Sequence, residues 1–62
     1  MNLLIKKKSG KPFHPSEGFK IAHAIDIIPD PYKPNKNEDA YLLENGHSIN
    51  IKLCDIVKDL EK

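Results

Sequence analysis

His14, His23, His47 and Cys54 are the four side chains in this chain able to ligate a borderline-soft metal. Structural zinc sites pair such donors closely, as C-x-x-C or H-x₃₋₅-H. No such pair is present here, so no metal site is assigned. Cys54 is the only cysteine, which leaves no intramolecular disulfide. It reads as a small buried hydrophobe. Lys8-Ser9-Gly10 matches the Lys-Ser/Thr-Gly triplet of serine penicillin-binding enzymes. That chemistry also needs a Ser-x-x-Lys nucleophile, and no serine here has a lysine three positions on. A phosphate loop needs G-x-x-x-x-G-K-[ST] opening a helix. Gly10-Lys11 runs instead into Pro12, which lacks an N–H donor. No catalytic residue and no cofactor is therefore assigned, and the chain is read as a non-enzyme.

The charges point elsewhere. Residues 1–36 carry seven lysines against Glu17, Asp26 and Asp30, a balance of +4. Residues 37–62 carry Lys52, Lys58 and Lys62 against six acids, a balance of −3. Lys6, Lys7, Lys8 and Lys11 could track a phosphate backbone through salt-dependent, sequence-blind contacts. Single-strand binders add aromatic stacking platforms. The aromatics are only Phe13, Phe19, Tyr32 and Tyr41, and Phe19 is assigned to the core. All ten basic residues are lysine, whereas base recognition favours arginine's planar fork. The plainer account places Lys6, Lys7 and Lys8 on an edge strand, charged to block edge-to-edge pairing. The acids read as a solvated face; clustered opposite the lysines, they would form an acidic patch for a basic partner. Pro31-Tyr32-Lys33-Pro34 has the P-x-x-P form, in which Tyr32 is a low-entropy contact residue.

Short elements must position these groups. “NLLIKK” is a strand, and Gly10, Pro12, Pro15 and Gly18 then interrupt regular structure. In “FKIAHAIDII” the alternation predicts a half-buried strand with Phe19, Ile21, His23, Ile25 and Ile27 on one face. Ala22, Ala24 and Asp26 take the other face. “PDPYKPNKNED” is a long surface loop. Asn45-Gly46 between apolar alternations predicts a hairpin with a type I′ turn. Tyr41 and Leu43 precede it, and Ile49, Ile51 and Leu53 continue the alternation beyond it. Leu53, Ile56, Val57 and Leu60 fit a helical stripe, but a single turn followed by a closing strand “IVKDL” fits as well.

With 62 residues this is a single small domain. Such a chain buries only about 60% of its unfolded surface. One core of that size supplies about 3–5 kcal/mol. The fold expected is mainly β: a small SH3-like barrel or a strongly bent antiparallel sheet of four to five strands, with a C-terminal helix as the open question. No apolar run approaches the roughly 20 residues that cross a bilayer as a helix. A lone thiol and no signal-peptide pattern predict a cytoplasmic protein without membrane contact.

“IKKKSGKPF”, the alternating strand, the proline-bearing loop, “AYLLENGHSINI” and the lone cysteine together resemble short proteins of phages and prophages of Gram-positive bacteria. That family has no assigned chemistry, so the resemblance implies a setting, the phage-infected cytoplasm, and not a mechanism. The expected function is a protein–protein interaction module acting on a host or phage protein, as an inhibitor or modulator. The alternative is a small nucleic-acid-binding barrel, and a homodimer is open as well. The expected contact residues are Lys6, Lys7, Lys8, Lys11, Tyr32, Asn45 and His47.

Overall fold

The computed structural model describes residues 1–16, 18–33 and 35–61. Five antiparallel strands form one sheet: β1 (Leu3–Lys7), β2 (Ala22–Pro29), β3 (Asp39–Leu43), β4 (Ser48–Asn50) and β5 (Cys54–Asp59). Their order is β4-β3-β2-β1-β5, so β1 lies between β2 and β5. This overturns the expectation that the lysines of β1 guard an edge; the edges are β4 and β5. The reason is the return of the tail, which closes on β1 from Lys7↔Cys54 to Leu3↔Asp59. Two further bonds extend that seam: Lys8 N–H donates to the Leu53 carbonyl at 2.9 Å, and Leu60 N–H to that of Asn2 at 2.8 Å.

No C-terminal helix forms among the described residues. The tail instead pairs its backbone along β1 as a strand. Leu53, Ile56, Val57 and Leu60 consequently stay exposed. The sheet is not closed into a barrel, since β4 and β5 do not pair. It is an open antiparallel sheet with bulges in the β2–β3 and β1–β5 pairings, which raise local twist.

Leu3, Ile5, Ala24, Tyr41, Leu43 and Cys54 form the buried cluster, with Ile5 and Ala24 fully enclosed. Phe13, Ala22, Ile49 and Ile51 pack against it. Of the two faces of β2, the alanine face meets the core. Ala22 and Ala24 turn inward, while Phe19, Ile21, Ile25 and Ile27 are exposed, so Phe19 is no core residue. Alanines on the inner face leave room for Leu3 and Leu43, the cross-strand partners of Ala24. The bulge between Ala24 and Asp26 then breaks the strict period of two.

The β3–β4 hairpin forms where expected, by a different turn. Gly46 N–H donates to the Leu43 carbonyl at 2.9 Å, and Leu43 N–H to that of His47 at 2.8 Å. Of the two central residues only Gly46 has positive φ, at 90°. This is the three-residue loop with a left-handed glycine, not the type I′ form. The alternation expected through Leu53 also stops early, because Ile51–Leu53 form a 3-10 turn. Asn50 causes the break: its Oδ1 accepts the Lys52 N–H at 2.9 Å.

Candidate interaction cleft

Residues 8–16 and 18–21 leave β1 and return to β2 in a loop that folds on itself. Phe13 N–H donates to the Phe19 carbonyl at 2.8 Å, and Gly18 N–H to that of His14 at 3.1 Å. Between this loop and the β3–β4 hairpin opens a cleft of about 700 Å³. Phe13, Phe19 and Ile21 line it from the loop side, and Asn45, His47 and Ile49 from the hairpin side. Phe19 is 61% exposed and Ile21 45% exposed, so two large apolar side chains stand in water at its rim. Lys7 reaches the same cleft with its ammonium 5.8 Å from the Phe13 ring centroid, within cation–π range.

His23 fixes the hairpin wall. Its Nδ1 lies 2.8 Å from Glu44 Oε2 and its Nε2 lies 2.8 Å from Asn2 Oδ1. The Asn2 amide is oriented by its own donation to Glu61 Oε1 at 2.9 Å. The ring thus bridges the hairpin to the N-terminal segment through both of its nitrogens. Glu44 N–H donates to the His23 carbonyl at 3.1 Å, tying the turn to β2 a second time.

The proposed contact residues divide. Lys7, Asn45 and His47 meet on this cleft. Asn45 also shapes the turn, since its Oδ1 accepts the His47 N–H at 3.0 Å. Lys8 is drawn off to Asp55, with Nζ to Oδ1 at 2.6 Å, and that hydrogen bond raises the lysine's pKa above its ordinary value. Lys6 sits on β1 opposite Asp55, on the face turned away from Lys7. Lys11 is exposed in the loop, its N–H 3.4 Å from Ser9 Oγ. Tyr32 is 81% exposed on the separate loop between β2 and β3 and does not line the cleft. Pro34 of the P-x-x-P reading lies outside the described residues.

Several of the acids, read from the sequence as a solvated face, pair with lysines. Besides Lys8–Asp55, Glu38 takes Lys52 at 3.1 Å and Lys33 at 3.9 Å. The hydrogen bond from Lys52 holds the Glu38 carboxyl below its ordinary range. At these places acids and lysines lie side by side. A smaller recess of about 380 Å³ adjoins Lys7, Lys8 and Lys52, but two of those three lysines are paired with carboxylates.

For chemistry the described residues offer little. Ser16 Oγ lies 2.6 Å from His14 Nδ1, the contact a hydroxyl nucleophile needs with its base. Both groups are exposed on the loop, and no carboxylate among the described residues is bonded to that ring. His14, His23, His47 and Cys54 do not gather, and no group able to hold a metal ion occurs among the described residues. Burial pushes the Cys54 thiol pKa up, so it is a poor nucleophile.

The feature missing from the sequence reading is a buried polar brace. Asn50 Nδ2 donates to Asp30 Oδ2 at 2.9 Å, with both residues 5% exposed. Asp30 Oδ1 accepts the Tyr32 N–H at 2.8 Å, and Asp30 N–H donates to the Glu38 carbonyl at 2.9 Å. The sequence signal was available: an aspartate between two prolines, which favours side-chain bonding two residues on.

Fold and cleft together define a small all-β protein with an open five-stranded sheet and an apolar-rimmed cleft beside its hairpin. No family model, no curated protein and no solved structure matches the chain.

Proposed function

We propose that this chain is a non-enzymatic interaction module that holds a segment of another protein in the cleft between its first loop and the β3–β4 hairpin. The observation that carries this reading is the exposure of Phe19 and Ile21 at the cleft rim. Exposed apolar groups rimmed by polar ones mark protein interaction sites. Lys7, His47 and Asn45 supply such a polar rim. The chain of elements, with a 3-10 turn before the last strand, supports an open relative of SH3-like domains. Such domains receive extended segments in aromatic-lined grooves. The setting we infer from the sequence resemblance is that of a phage or prophage accessory protein working on a host or phage protein in the cytoplasm. Pairing of Lys8 and Lys52 with carboxylates argues against a dedicated phosphate track.

The test is affinity capture from host and infected lysates with the wild type and with a Phe19→Ser/Ile21→Ser variant, read by mass spectrometry. A protein retained by the first and lost by the second supports the cleft. Retention that ignores the substitutions overturns it. Tight binding of labelled DNA or RNA that falls steeply with salt would give the site to nucleic acid instead.

A further inference from the structure

We propose that two copies of this chain pair antiparallel through the outer edges of β5, about a two-fold axis between Ile56 and Val57, with Asp55 of each opposite Lys58 of the other. This surface is separate from the cleft, which no β5 residue lines. Of the two sheet edges, β4 is three residues long and runs into the 3-10 turn, whereas β5 is six residues long. Among the described residues no strand pairs with the outer side of β5. An edge of that length is a template for another strand.

A bulge and charges normally blunt such an edge. Here their arrangement is self-complementary. Opposed residues of an antiparallel pair share a face. Asp55 and Lys58 lie opposite Lys6 and Leu4, on one face; Cys54, Ile56 and Asp59 lie opposite Lys7, Ile5 and Leu3, on the other. Val57 is the extra residue where the register shifts, so Ile56 and Val57 together oppose Ile5. Read from the centre outwards, the facing pattern of β5 is then the same in both directions. A regular strand would set residues 55 and 58 on opposite faces and forbid this pairing. The bulge permits it. Ile56 and Val57, 56% and 47% exposed, meet their counterparts at the axis. Each Asp55–Lys58 pair joins opposite charges on one face, while a random strand offered to this edge meets unmatched charge.

So small a contact gives a weak, concentration-dependent dimer. Sedimentation equilibrium over a concentration series reads it. The wild type is expected to dimerise. Lys58→Asp, which leaves the Lys8–Asp55 bond intact, sets aspartate against aspartate at both ends and should weaken association by roughly tenfold or more. Asp55→Lys should do the same with lysine against lysine. An equimolar mixture of these two variants restores opposite charge at both contacts and should give a heterodimer of wild-type affinity. Circular dichroism of each variant separates loss of pairing from loss of folding; should Asp55→Lys unfold, the Lys58→Asp comparison decides alone. A wild type that stays monomeric at millimolar concentration overturns the proposal. So does a Lys58→Asp dimer as tight as the wild type, which would put the contact elsewhere.

Discussion

Two sets of apolar side chains coexist in this molecule and differ in every physical respect. The inner set, built around Ile5, Ala24, Tyr41 and Leu43, is small and closed to water. The outer set includes Phe19, Ile21, Ile27, Ile56 and Val57, each at least 40% exposed. With one sheet and no second layer, only one face near the centre of the strands becomes a core. Exposed apolar side chains are left over just before β2, on β2 itself and on the edge strand β5. Stability thus resides in a few central contacts and a polar brace, while the outer set contributes little to it.

The largest test of this division is Ile5→Ala. Truncating a buried isoleucine costs about 2–5 kcal/mol. Against a margin of about 3–5 kcal/mol for so small a core, the expected result is loss of the cooperative thermal transition. Next comes Asn50→Ala, which leaves the buried Asp30 Oδ2 without its donor and removes the cap of the 3-10 turn. Leaving a buried polar partner unpaired costs about 1–3 kcal/mol, checked by urea denaturation. Gly46→Ala should cost roughly 1–2 kcal/mol in the same assay, because its φ of 90° is left-handed. Nothing lies within 4 Å of the added methyl, so that cost is purely conformational.

Glu38→Gln sharpens the comparison through pH. The wild-type carboxyl is held low by Lys52 in the folded state. Its contribution is therefore present above the ordinary carboxylate range and is lost as pH falls through its lowered value. The Tm gap between wild type and variant should be small, widest at neutral pH, and closed in acid. The smallest effect belongs to the outer set: Phe19→Ser should change stability by less than about 0.5 kcal/mol. A larger loss would mean that the rim belongs to the core after all.

Much of the architecture was legible in the sequence because it is written in local chemistry. Asn45-Gly46 marked the hairpin, prolines marked the loop after β2, and the Tyr41/Leu43 alternation marked β3. What failed was set by distant partners. Period-2 alternation could not say which face of β2 turns inward, since that depends on Leu3 and Leu43 approaching two alanines. Nor could it foresee the bulges. The place of β1 inside the sheet depends on the tail's return, and the tail carries helical and extended signals in equal strength. Of the expected contact residues, Lys7, Asn45 and His47 converge, because loop and hairpin lie at the same end of the sheet. Lys6 was separated by the pleat, Lys8 by Asp55, and Tyr32 by its own loop.

The return of β5 to β1 also has a kinetic meaning. β2, β3 and β4 are neighbours in both chain and sheet. The β1–β5 seam instead closes a loop of most of the chain, and that entropy must be met before its contacts reward it. β5 should therefore dock late in folding and detach first from the native state, uncovering β1 when it leaves. Cys54, buried at the start of that strand, makes the event observable. Its rate of reaction with a thiol reagent measures how often this last strand opens.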